Sequence, residues 1–287
     1  ILQRHMLHLA AHSLPATNGT LLTITPPQTR HAAAPEAALD LVFVFDVSCS
    51  MDNYVGKSDE VQLSLLDVAK HAFRLALAML PATARVSIVT FSDTASVVCG
   101  FVACDEAGKK KLSDTVLQLR TIGCTNLAAG IQTAMLVAKG TPAQVVVLCD
   151  GMPTPSCHPK GYGDDVYESY TRALDEWRPA GVQMTCLGIG YQLDSQLLGR
   201  LGTLLHIPDG GDVAPYVVHM MAWMRTLCAR SVAIECATTD GRVRLVDVGE
   251  CVYDVPRHVV VPDDVATAQL VVEGHRVGDT VVVHEEA

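Results

Sequence analysis

From Asp40 to Arg230, short unbroken apolar runs alternate with segments whose apolar residues return at helical spacing. The runs at 41–46, 85–91, 96–102, 144–149, 182–189 and 203–207 read as strands. Those without alternation, such as Leu41-Val42-Phe43-Val44-Phe45, read as strands buried on both faces. Segments 61–79, 106–119, 127–139, 165–178, 194–201 and 213–229 read as helices. In the first, Val61, Leu65, Val68, Ala72, Leu75 and Met79 line one face. A hairpin is expected over 85–101, turning at Ser92-Asp93-Thr94. Such alternation builds an α/β fold, a doubly wound and mostly parallel sheet with helices on both faces.

After Arg230 the helical period disappears. Val232–Cys236, Val243–Val246, His258–Val261, Ala268–Val272 and Thr280–His284 are short, Val-rich and separated by turn signals, the pattern of a small antiparallel β-sandwich. Leu21–Thr25 is an isolated strand stopped by Pro26-Pro27, and it is expected to close an open edge of that sandwich. Residues 1–14 read as an amphipathic helix with Leu2, Met6, Leu9 and Leu14 on its apolar side, and 28–37 as a linker. His5, His8 and His12 share helical spacing and read as solvated surface residues. The chain is thus expected to divide at 1–37, 38–229 and 230–287, the first and last segments building the sandwich together.

The apolar run 41–45 ends in Asp46-Val47-Ser48-Cys49-Ser50, which releases three oxygen-bearing side chains into a tight loop. Ligands of open α/β sheets bind beyond the carboxyl ends of the strands. Carboxylate and hydroxyl oxygens are hard donors suited to Mg²⁺, Mn²⁺ or Ca²⁺. Gly123-Cys124-Thr125-Asn126-Leu127 offers a further hydroxyl before a helix. Val145–Cys149 is a second buried strand, and it ends in Asp150-Gly151. Taken singly, each of these segments reads equally well as a helix cap or turn.

In this order and with these flanks, the three segments resemble the metal-ion-dependent adhesion site of the von Willebrand factor type A domain, written D-x-S-x-S…T…D. The matching residues are Asp46, Ser48, Ser50, Thr125 and Asp150. The likeness runs over roughly 38–228 and includes Arg85–Ser92 and Leu187–Tyr191 followed by Leu193-Asp194-Ser195. It implies a divalent cation held by Ser48, Ser50 and Thr125, with Asp46 and Asp150 acting largely through water. It further implies one coordination position left open for an Asp or Glu of a partner protein. Cys49 and Cys124 stand where that family usually has glycine, and Cys149 precedes Asp150, so all three thiols are expected near the metal loops.

The formal charge of −10, with Lys109-Lys110-Lys111 as the longest basic run, excludes a general nucleic-acid binder. Ten scattered cysteines without a C-x-x-C pair read as reduced thiols in an intracellular protein. No stretch reaches the roughly 20 apolar residues that span a bilayer. Metal-dependent phosphoryl transfer would need a second carboxylate beside Asp46, but position 48 is Ser; no P-loop is present, and His158 and His206 lack a nucleophile motif. The expectation is therefore a non-enzymatic, cation-dependent binding module. The alternative is an architectural subunit with a vestigial site.

Overall fold

The computed structural model describes residues 7–14, 19–27, 39–55, 63–141, 143–179, 181–272 and 275–283. Its elements begin with β1 (His8–Leu14), β2 (Gly19–Thr25), β3 (Asp40–Asp46), β4 (Tyr54–Val55), β5 (Leu63–Ser64), α1 (Leu65–Met79), β6 (Arg85–Phe91) and β7 (Ala95–Ala103). Next come α2 (Glu106–Leu117), α3 (Leu127–Ala138), β8 (Gln144–Cys149), α4 (Val166–Trp177), β9 (Gln183–Ile189), α5 (Ser195–Leu201), β10 (Thr203–Ile207) and α6 (Val213–Thr226). The chain continues through β11 (Leu227–Thr238), β12 (Val243–Val252), β13 (Arg257–Pro262), β14 (Val265–Val272) and β15 (His275–Val282). Two compact units result, Glu36–Met221 and the pair of segments Ile1–Pro35 and Ala222–Ala287.

In the first unit, six strands are ordered β10-β9-β8-β3-β6-β7. All neighbours are parallel except β7, which turns back on β6 as an antiparallel hairpin. β3 is buried at every position because alternate side chains enter different layers. Phe43 and Phe45 meet Phe73 of α1 edge-on, with ring centroids 4.9 and 5.6 Å apart. Val42 and Val44 join Leu127 and Ile131 of α3 and Tyr170 and Leu174 of α4 in a second core. Helices on both faces therefore explain a strand without polar alternation. Phe45 pairs with Leu148, so β3 and β8 deliver Asp46 and Asp150 to the same edge of the sheet.

Five helices of this unit start at side-chain caps, α2 at Asp105, whose carboxylate accepts the Gly108 N–H at 2.7 Å. Ser64 and Asp67 form a reciprocal capping box on α1, and Asn126, Asp165 and Asp194 cap α3, α4 and α5. Among the described residues no helix is long and apolar enough to cross a membrane.

The second unit is a sandwich of two antiparallel sheets, β1-β2-β13 and β12-β11-β14-β15. Leu22 and Ile24 of β2 share its core with Val232, Ile234, Leu270 and Val272. The strand expected at 21–25 is thus paired on both sides, with β1 and β13. Two sequence expectations need correction here. Residues 8–14 are a strand, not part of a helix: Leu7 is buried and Leu9 and Ala11 face the same core, a period of two fixed by pairing with β2. His8 and His12 are exposed on that strand, while Leu2, His5 and Met6 lie outside the described residues, as do 28–37 and 61–62. The helix expected to reach 229 stops at Thr226, because β11 already begins at Leu227, paired with Val252.

Candidate functional site

Asp46, Ser48, Ser50 and Asp150 form one hydrogen-bonded network at the C-terminal edge of β3 and β8. An Asp46 carboxylate oxygen accepts the Ser48 N–H at 2.8 Å, folding the loop back over the strand end. The Ser48 and Ser50 hydroxyls share a hydrogen bond at 3.0 Å, and Ser50 lies close enough to Asp150 to hold its carboxyl down against burial. Asp150 also accepts the Met152 N–H at 3.1 Å. Thr125 stands on the neighbouring loop, two residues beyond Gly123, whose carbonyl accepts the Cys49 N–H at 3.0 Å. Asp46, Ser48, Thr125 and Asp150 are all buried.

Burial pushes the Asp46 carboxyl up to about 7; the Ser48 bond pulls against this, and the nearby Asp150 charge adds to it. Asp150 is also raised, chiefly by burial, with Ser50 and the Met152 N–H opposing. Among the described residues, none of the groups shifting either carboxylate is a cationic side chain. The second oxygen of Asp46, Oδ2, is buried without a hydrogen-bond partner. Two buried acids with one orphaned oxygen and no counter-charge are costly as they stand. Among the described residues no three His, Cys, Asp or Glu side chains cluster, so the hydroxyls would have to complete any donor set. Such an all-oxygen set fits a hard divalent cation.

Two glycines shape the loops. Gly123 has φ +72°, and a Cβ there would stand 2.4 Å from the Asp93 carboxylate. Gly151 has φ +70°, and a Cβ would meet Leu198 at 2.9 Å. Cys49 and Cys124 replace family glycines without such strain, since Asp254 is the one non-glycine residue with positive φ among the described residues. Both thiols are exposed at the site loops, but Cys149 does not join them. It lies on the same strand face as Val145 and Val147, wholly within the core, and burial holds its thiol well above the ordinary range.

Three residues outside the expected donor set also build the site: Asp93, Asn126 and Thr154. The Asp93 carboxylate accepts the Cys124 N–H at 2.8 Å, and its carbonyl accepts the Asn126 side-chain amide at 3.0 Å. Asn126 caps α3 through the Ala129 N–H at 3.1 Å. Thr154 grips Thr125 twice: its hydroxyl accepts the Thr125 N–H at 3.1 Å, and its own N–H donates to the Thr125 carbonyl at 2.9 Å. The Asp93–Cys124 and Thr125–Thr154 ties span 31 and 29 residues, beyond any local pattern. Beyond Thr154, His158, Lys160, Tyr162 and Trp177 line a cleft of about 490 Å³ that reaches Asn126. Its wall is fixed by the Tyr162 hydroxyl, which donates to Glu176 at 2.8 Å.

A mostly parallel sheet between two helical layers, with hydroxyls and carboxylates gathered at its C-terminal edge, is the fold of von Willebrand factor type A domains. Residues 41–152 match the family model of the von Willebrand factor type A domain. The chain is similar in structure to a von Willebrand factor type A protein from Catenulispora acidiphila, with TM-score 0.64 and 19% identity, over 93% of this chain and 68% of that one. It is similar to a mutant of the PilB minor pilin from Streptococcus sanguinis, with TM-score 0.54 and 13% identity, over 77% and 79%. It is also similar to the pilus adhesin SpaC from Lactobacillus rhamnosus GG, with TM-score 0.52 and 11% identity, over 92% of this chain but 45% of the adhesin. No curated protein matches the chain.

Proposed function

We propose that this chain is a divalent-cation-dependent protein-binding module. Ser48, Ser50 and Thr125 would hold Mg²⁺, or Mn²⁺ or Ca²⁺, while Asp46 and Asp150 act through water. A bound cation supplies a positive centre with one position open to an Asp or Glu of a partner protein. The observation that carries this reading is the buried, unpartnered Asp46 oxygen beside Asp150, with no cationic side chain among the described residues acting on either. Hydroxyl ligands leave a cation under-neutralised, which favours an incoming carboxylate. The structural likeness to a protein named as a pilus adhesin supports an adhesive rather than a catalytic role. An intracellular setting fits the nine free thiols among the described residues.

Calorimetric titration of the full chain with Mg²⁺ tests the reading. Heat of binding is expected for the wild type and lost in Asp46→Ala and Thr125→Ala, with circular dichroism unchanged. Equal affinity in the wild type and both variants would refute it.

A further inference from the structure

Four large apolar side chains remain exposed on segments next to the hydroxyl–carboxylate network, Tyr54 on β4 and the others on three loops. Tyr54 (64% exposed) follows the 3₁₀ turn Cys49–Asp52 that carries Ser50. Ile122 (64%) donates its N–H to the carbonyl of Val47, one residue past Asp46, at 2.6 Å. Met152 (52%) donates its N–H to the Asp150 carboxylate. Tyr191 (61%) lies two residues beyond β9, the parallel neighbour of β8. Tyr54 and Tyr191 are the exposed large aromatic side chains among the described residues, in a chain that is only 5% aromatic. Elsewhere in this unit the exposed apolar residues are Leu63 beside Tyr54's strand, Val97 and Val98 on edge strand β7, and single helix positions such as Leu136 and Val218. Isolated surface residues of that kind are ordinary, but four on separate segments that all flank or bond to the ends of the site strands are not.

We infer that the partner of this surface is a protein loop carrying one acidic residue between apolar side chains, not a run of acidic residues. The inference rests on the cation-dependent reading above, because a bound cation supplies the charge that the acidic residue complements. Two physical effects select this occupant. Apolar side chains packed around a central polar contact exclude water and strengthen it, and Tyr is a favoured residue for that task. Each further carboxylate on the partner would meet the −10 background of the chain without a cation of its own.

Random peptides displayed on phage, panned on the immobilised full chain in Mg²⁺ and eluted with EDTA, test the inference. The selected sequences should carry a single Asp or Glu with Leu, Ile, Phe or Trp on either side. Affinity of one such synthetic peptide, read by fluorescence anisotropy, should fall about tenfold in Tyr54→Ser and in Tyr191→Ser, and measurably in Ile122→Ser and Met152→Ser. Mg²⁺ affinity of Tyr54→Ser and Tyr191→Ser without peptide should be unchanged by calorimetry. Selection of acid-rich sequences lacking apolar neighbours, no EDTA-eluted peptide, or unchanged affinity in all four variants would overturn the apolar collar. The cation reading would survive those outcomes if Asp46→Ala still abolished the Mg²⁺ heat. Conversely, apolar-flanked peptides that stay bound through EDTA and Asp46→Ala, but are lost in Tyr54→Ser, would keep the collar and overturn the cation reading.

Discussion

In the α/β unit, β3 and β8 are buried along their whole length, whereas β13 and β14 of the sandwich have buried positions separated by partly or fully exposed ones. The difference follows from what covers each sheet. Helices close both faces of the first, so polar side chains inside its strands are few, and Ser87 is satisfied within the sheet by the Cys99 carbonyl. The sandwich sheets have one face on a shared core and one on solvent. Strands of the first kind release polar groups abruptly at one edge, and that is where Asp46 and Asp150 emerge. The first unit is also built from one continuous stretch of chain, the second from both ends.

Removing residues 1–27 should have the largest effect on this contrast, since it deletes β1 and β2, the latter being the middle strand of its sheet. In scanning calorimetry the sandwich transition should vanish while that of the α/β unit persists. Loss of both transitions would show that the units do not fold independently. Truncating one core side chain sharpens the same point. Phe73→Ala should cost about 3–5 kcal/mol in the α/β transition alone, and Leu22→Ala about 2–5 kcal/mol in the sandwich transition alone, as read from denaturant midpoints.

The next effect is electrostatic. In the absence of divalent cations the folded chain keeps its proton on Asp46 up to about pH 7, whereas the unfolded chain loses it near 3.8. The folded state therefore binds the extra proton between these values, and stability should decline as pH rises through this window, then level off above it. The full decline is on the order of 4 kcal/mol. Asp46→Asn should flatten most of this slope in urea melts, the remainder belonging to the likewise raised Asp150, and an undiminished slope in that variant would assign it to other groups. The smallest effect is expected at the cap of α3. Asn126→Ala should destabilise the α/β unit by about 1 kcal/mol by freeing the Ala129 N–H, measured as a shift in its urea midpoint.

Most of the α/β unit is legible from the chain because each of its elements is a continuous run or a clean helical period. β6, β8 and β10 fall where the apolar runs place them, and Asp46 and Asp150 lie at the ends of two of those runs. β1 was not legible, since Leu7, Leu9 and Ala11 support a period of two while Leu2, Met6 and Leu9 support a helical one. The core that decides between them is built from β11, β13 and β14, more than two hundred residues away in sequence. Cys149 could have been read correctly: it shares strand parity with Val145 and Val147, which sends it into the core and away from the loops. The parts played by Asp93 and Thr154 leave no local signal, because a turn residue looks the same whether or not a distant loop bonds to it.

β2 has one further consequence, which concerns the order of synthesis. Its register places Thr23 opposite His258, and their side chains share a hydrogen bond at 3.1 Å across 235 residues. A ribosome adding roughly 5–20 residues per second leaves β2 on the order of ten to fifty seconds without β13. The entire α/β unit emerges during that wait. The β1–β2 hairpin meanwhile holds Leu22 and Ile24 on a face with nothing yet to cover it, and an isolated hairpin is marginal in water. On a crowded polysome, the nascent hairpins of neighbouring chains expose the same unpaired strand edge to one another. The stretch of this protein most in need of protection during translation is therefore the strand that waits for its partner while the whole α/β unit is made.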